Sequence, residues 1–116
     1  REVIELIKMR AADIINIKLM KTGGISNAIK IADICSFYDM QCMIGCMLES
    51  SISVAAAVHV AVAKADVITK VDLDGPSLCA FNPVHCSVNF NGPDITIGEA
   101  PGLGVTAIDG LEWLNE

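Results

Sequence analysis

Basic residues are scarce in this sequence. Eight Lys and Arg face 14 Asp and Glu over 116 residues, for a net charge of −6 and a pI near 4.7. No Lys/Arg cluster stands ready to neutralise phosphates, so no nucleic-acid partner is expected. Long hydrophobic runs are missing too. The longest, "ISVAAAVHVAVA" from Ile52 to Ala63, contains His59 and is shorter than the about 20 residues that cross a bilayer, so no membrane partner is expected. The first residues show no basic segment and no small-residue cleavage site, which argues against a secretory leader. The cysteines Cys35, Cys42, Cys46, Cys79 and Cys86 lack the two close pairs of a zinc site, since Cys42 and Cys46 have no matching second pair. They read as reduced, buried thiols of a cytoplasmic protein. Gly23-Gly24 fits neither a G-x-G-x-x-G nor a Walker pattern, so it reads as a turn and not a phosphate cradle.

What remains is apolar and periodic. The chain is 53% hydrophobic, and its length is that of one domain or of a piece of a larger one. Three short apolar runs end in polar residues: "DIINIK" (Asp13–Lys18), "QCMIG" (Gln41–Gly45) and "TKVDL" (Thr69–Leu73). "EVIELIKMRAA" precedes the first as an amphipathic helix. After it comes a helix in which Ala28, Ile31, Ala32 and Cys35 share a face, with Ser26 or Asn27 as N-cap. The Ala/Val-rich segment Ile52–Ala63 forms the next helix. Its near-continuous apolarity implies cover on both sides, by a further subunit if the chain is a homo-oligomer.

Strand starts 28 residues apart approach the roughly 31-residue repeat of a (β/α)8 barrel. Strands joined by helices must be parallel, and parallel α/β sheets carry their chemistry at the strands' carboxyl ends. Those ends hold Lys18 with Lys21, then Glu49, then Asp72 with Asp74. Strand alternation puts Ile15, Ile17 and Leu19 on one face and Asn16 with Lys18 on the other. In the third strand it sets Val71 and Leu73 opposite Asp72 and Asp74. The apolar faces belong against helices, which turns Asn16, Lys18, Asp72 and Asp74 toward the barrel axis and leaves Lys21 in a supporting position. Three strands cannot close a barrel, so the chain reads as the last part of one. Residues 1–75 form the βα units. Residues 76–116 form a hairpin around Asn91-Gly92-Pro93 and a segment that returns onto another part of the protein.

A lysine at a barrel mouth near carboxylates can be an ion-pair partner, a Schiff-base nucleophile or a general acid/base. Nearby Asp72 and Asp74 weigh against the nucleophile, which prefers a desolvated site away from carboxylates. The motifs "INIKLMKTGGI", "CMIGCMLESSI", "DLDGP" and "PGLGV", in this order, resemble the C-terminal barrel part of the enolase superfamily. Within it they resemble the mandelate racemase/muconate-lactonising subgroup, and most of all its dipeptide epimerases of the L-Ala-D/L-Glu type. The resemblance implies the sixth to eighth strands of a TIM-type barrel, a C-terminal segment directed toward a cap domain, and α-proton exchange through an enediolate on a dipeptide. It implies Lys18 as the sixth-strand base. It implies Asp72 and Asp74 as the pair that holds the α-ammonium, and Met47, Leu48 and Glu49 as substrate-facing. It also implies Mg2+, with its ligands and a second catalytic lysine on strands this chain does not contain. The alternatives are a cycloisomerase, an N-acyl amino acid racemase, or a half-barrel without chemistry. His59 reads as a packed histidine, His85 as having no metal-like companion, and Met40, Met43 and Met47 as core and mouth packing.

Overall fold

A computed structural model describes residues 2–112 and Leu114. The helix α1 (Glu2–Lys8) leads into strand β1 (Ile14–Lys18), a single-turn helix α2 (Leu19–Thr22) and helix α3 (Ile25–Phe37). Strand β2 (Gln41–Gly45), helix α4 (Ser51–Ala63) and strand β3 (Ile68–Asp72) follow. The three strands form one sheet in the order β1-β2-β3, both pairs parallel. Its βα repeat is the one the periodicity implies, because only a helical crossover returns a chain to lay the next strand parallel.

The helix-facing side of this sheet makes the core. Ile17, Cys42 and Ile44 are fully buried beneath Ala28, Ala32 and Cys35 of α3 and Val54 and Ala55 of α4. The opposite side carries Asn16, Met43 and Lys70 in one register row and Lys18, Gly45 and Asp72 in the next. Thr69 is the extra residue at an irregularity between Cys42 and Met43 on the partner strand.

Several local expectations are corrected. Alternation does not extend to Leu19 or Leu73: Leu19 begins α2, and Leu73 lies past the end of β3, though both are buried. Helix α3 is capped at Gly24, not at Ser26 or Asn27. Gly23 and Gly24 adopt φ of 81° and 103°, a region that suits glycine and lets the chain reverse within two residues. Asn27 then serves the preceding helix, donating from Nδ2 to the Thr22 carbonyl at 2.9 Å.

Helix α4 is buried around most of its circumference. Part of that cover comes from this chain itself. A 3-10 turn at Gly75–Leu78 and strand β4 (Val84–Cys86) both pack on it. Asn82 ties this layer down by donating to the Ser51 hydroxyl at 2.6 Å. Strand β4 pairs antiparallel with β7 (Val105–Ile108), and β5 (Asn89–Asn91) with β6 (Asp94–Thr96) across the Gly92-Pro93 turn. The residues His85–Phe90 leading into that turn are therefore divided between two small sheets. Trp113, Asn115 and Glu116 of the expected return segment, and Arg1 at the other end, lie outside the described residues.

The cysteines also depart from expectation. All five are free, but only Cys35 and Cys42 are buried, while Cys46, Cys79 and Cys86 are half-buried. Burial, followed by a hydrogen bond with Cys35, pushes the Cys42 thiol up to about 12, so this pair stays protonated and inert. Among the described residues no helix is long and apolar enough to cross a membrane. His59 meets the Ala55 carbonyl through Nδ1 at 2.8 Å, a packed histidine satisfied within its own helix. His85 lies 3.0 Å from a carboxylate oxygen of Asp109, an exposed pair on the β4-β7 sheet.

Candidate functional site

The carboxyl ends of β1, β2 and β3 bring three sequence-distant residues into one row. Lys18 aligns with Gly45, and Gly45 with Asp72. Partners in a parallel register point to the same side, so Lys18 and Asp72 flank a position that has no side chain. Two strand spacings separate their backbones by roughly 10 Å. A Cβ on Gly45 would come within 3.1 Å of Asn16 Oδ1 and 3.3 Å of Lys18 Cε. The bare backbone of Gly45 thus lets the lysine side chain lie across the sheet.

At the end of that path the Lys18 ammonium donates to the Cys46 carbonyl at 2.7 Å. It forms no ion pair with Asp72 or Asp74 among the described residues, so its partner is a peptide dipole and not a carboxylate. Gly45→Ala is expected to push Lys18 off this carbonyl while leaving the sheet folded. A crystal structure of the variant checks it: an unchanged Lys18 rotamer would contradict the close approach.

Asp72 ends β3 and is exposed. Asp74 is exposed as well, in a helical conformation of φ −82° and ψ −3° that starts the 3-10 turn. The alternation that grouped the two does not reach Asp74, whose position is set by the turn. Its side chain makes no capping hydrogen bond. Both carboxylates gather near Cys46, whose thiol is pushed up by burial first. A backbone hydrogen bond at Gly75 opposes that rise, and the charges of Glu49, Asp74 and Asp72 add to it.

The loop after β2 divides its residues. Met47 and Leu48 are exposed at the mouth. Glu49 is buried, with 7% of its surface accessible. Its Oε1 accepts the Met47 N–H at 2.8 Å and its Oε2 accepts the Ser53 hydroxyl, so the carboxylate is committed to its own loop. Gly75 seals that loop: a Cβ there would meet the Met47 carbonyl at 3.1 Å and the Glu49 backbone at 3.2 Å. Lys21 is exposed on α2. With Asn16, Lys18, Thr22, Asn27 and Lys30 it lines a cleft of about 520 Å³ along the free edge of β1.

Sequence reasoning missed Gly45 and Ser53. The i to i+4 spacing of Glu49 and Ser53 was a usable signal, because a helix start brings such residues together. Nothing local marked Gly45, whose importance is the lysine that crosses it. Among the described residues no three of His, Cys, Asp and Glu group so as to hold a metal ion.

Comparison with known proteins gives this geometry a lineage. The chain is 50% identical over 109 residues to the L-Ala-D/L-Glu epimerase of Clostridium acetobutylicum, covering 94% of this chain and 30% of that protein. It superposes with a TM-score of 0.88 and 37% identity on the substrate-liganded L-Ala-D/L-Glu epimerase of Bacillus subtilis, over 93% of this chain and 30% of that one. It also superposes, with a TM-score of 0.83 and 44% identity, on a dipeptide epimerase of Enterococcus faecalis complexed with Mg and the dipeptide L-Leu-L-Tyr, over 90% and 30%. The chain therefore spans about 30% of the length of the relatives it matches. The model of the enolase C-terminal domain-like family matches residues 1–110, and the chain belongs to that family as a part of its barrel.

Proposed function

We propose that this chain is the C-terminal part of a dipeptide epimerase, with Lys18 exchanging the α-proton of the substrate's C-terminal residue from one face. The observation that carries this is the row Lys18, Gly45, Asp72: a cation, a gap and an anion along the carboxyl ends of three parallel strands. The Lys18 side chain crosses that gap, so a substrate would lie above the row. Asp72 and Asp74 lie exposed on one side of the gap, with no ion pair among the described residues, and suit an α-ammonium group. Lys18 stands on the other, its ammonium reaching across the gap to a peptide carbonyl. Met47 and Leu48 form the rim, and Asn16 and Lys21 flank the base.

Mg2+ accompanies this chemistry in the Enterococcus faecalis structure. Among the described residues no three of His, Cys, Asp and Glu group to hold it, and the Glu49 carboxylate is already committed. The ion and a second base would belong to the rest of the protein, as would closure of the sheet at the free edges of β1 and β3. A cytoplasmic location is in keeping with the five free thiols.

The test uses the full-length protein that carries this chain. Dipeptides and N-acylated amino acids are incubated in D2O, and α-proton exchange and inversion are followed by NMR. Inversion of dipeptides at the C-terminal residue is expected; activity confined to acylated amino acids would overturn the assignment. Asp72→Asn with Asp74→Asn is expected to lower kcat/KM for dipeptides by about 10- to 100-fold per carboxylate, since a hydrogen bond to a charged group contributes about 1.5–3 kcal/mol. An unaltered kcat/KM would remove the pair from substrate binding.

A further inference from the structure

Glu49 has an unusual position for a residue at a barrel mouth. It is buried, and both its oxygens are occupied within the protein. One of those partners is the N–H of Met47, which belongs to the same peptide unit as the Cys46 carbonyl. That carbonyl receives the Lys18 ammonium. Glu49 and Lys18 therefore grip opposite ends of one planar peptide. From this we infer that Glu49 is a positioning residue for Lys18, holding the Cys46–Met47 peptide so that its carbonyl fixes the ammonium above Gly45.

Three features make the grip rigid. Ser53, in the first turn of α4, donates to the second oxygen of Glu49 and stops the carboxylate rotating. Gly75 closes over the Met47 carbonyl and the Glu49 backbone, leaving no room for the loop to rise. The Cys46 N–H donates to the Asp72 carbonyl at 3.1 Å, which locks the start of the loop to β3. A charged acceptor on the N–H polarises the peptide and strengthens the carbonyl as an acceptor at the other end. The role is one of aim. A reacting group displaced by about 1 Å loses on the order of a hundredfold in rate.

This inference rests on the proposed role of Lys18, and its test separates the two. In the full-length protein, Glu49→Leu removes both acceptor oxygens at similar bulk, whereas Glu49→Gln can still accept the Met47 N–H. Exchange of the α-proton is measured in D2O from each stereoisomer of a dipeptide separately. Glu49→Leu is expected to slow one stereoisomer by about a hundredfold and the other far less, and Glu49→Gln to recover much of the loss. Loss of packing alone would slow both alike, and that result would overturn the inference, as would full activity in Glu49→Leu.

A second readout does not depend on turnover. With 15N-labelled lysine, the Lys18 ammonium should give a protected NMR signal that Lys18→Arg abolishes. The signal should fade in a folded Glu49→Leu protein and persist in Glu49→Gln. If the unaltered protein exchanges neither stereoisomer of any dipeptide, the epimerase reading fails and this signal alone decides the positioning. Should Glu49→Leu not fold, Ser53→Ala, which frees Glu49 without removing it, is read in the same two ways. A Lys18 signal unchanged in Ser53→Ala, with unchanged exchange, overturns the inference.

Discussion

Lys18→Ala in the full-length protein is expected to abolish deuterium incorporation into one stereoisomer of a dipeptide substrate and to spare the other. The asymmetry follows from where the lysine lies. It comes from one strand, crosses one glycine and reaches the sheet from one side, so in the proposed role it would serve only one face of a substrate beside Asp72. A positioned general base contributes about 10²- to 10⁴-fold, and a loss of that size on one face is what NMR in D2O would record. Lys18→Arg should be nearly as poor, because guanidinium stays protonated and cannot accept the α-proton. Retained exchange in both stereoisomers of Lys18→Ala would remove Lys18 from proton transfer. Equal loss in both would point to a collapsed mouth, which the fold of the variant would reveal by circular dichroism.

The second large effect concerns stability and lies where β4 and β7 meet. Gly104 sits at φ +68°, and a Cβ there would collide with the Ser87 hydroxyl and lie 2.8 Å from Ser87 Cβ and 3.3 Å from its backbone nitrogen. Rotating the hydroxyl relieves only the first of these contacts. The approach is enforced by pairing, since the Ser87 N–H donates to the Gly104 carbonyl at 3.0 Å. Gly104→Ala meets two penalties: about 1–2 kcal/mol for a left-handed backbone with a Cβ, and about 1–3 kcal/mol for overpacking. A total of about 2–5 kcal/mol is expected as a shift in the urea midpoint of the full-length protein. Ser87→Gly in the Gly104→Ala background should restore the packing part and leave the backbone part, which a double-mutant cycle separates. Ser87→Gly gives up no hydroxyl hydrogen bond, because this buried oxygen has no partner among the described residues. A shift near zero in Gly104→Ala would mean that the β4-β7 layer does not hold α4 as tightly as its packing indicates.

The two effects mark different parts of the legibility of this protein. The βα repeat, the parallel order and the face on which Lys18 stands follow from periodicity, which is local. Alternating apolar residues bury one side of a strand wherever that strand goes, so β1 and β2 were readable almost to the residue. The same rule stopped at the strand ends. Leu19 and Asp74 lie in turns of helix, where a side chain's direction is no longer tied to the residue two before it. The capping residue of α3 was misread for a related reason: two glycines with positive φ let the helix start early, and no side chain was needed to end the turn.

Glu49 is the clearest division between the two kinds of information. Its place after a strand in an α/β repeat, with Lys18 and Asp72 at the neighbouring strand ends, is encoded by spacing alone. Whether its carboxylate faces substrate or its own loop depends on Ser53, Gly75 and the Met47 N–H meeting it at once. That choice is decided in three dimensions by desolvation, because a carboxylate displaced from water must find donors that nearby sequence does not announce. Gly45 is the same case without a side chain. Local sequence specifies a bend-free strand there, and only the packed sheet shows that the missing Cβ is the path of the Lys18 ammonium.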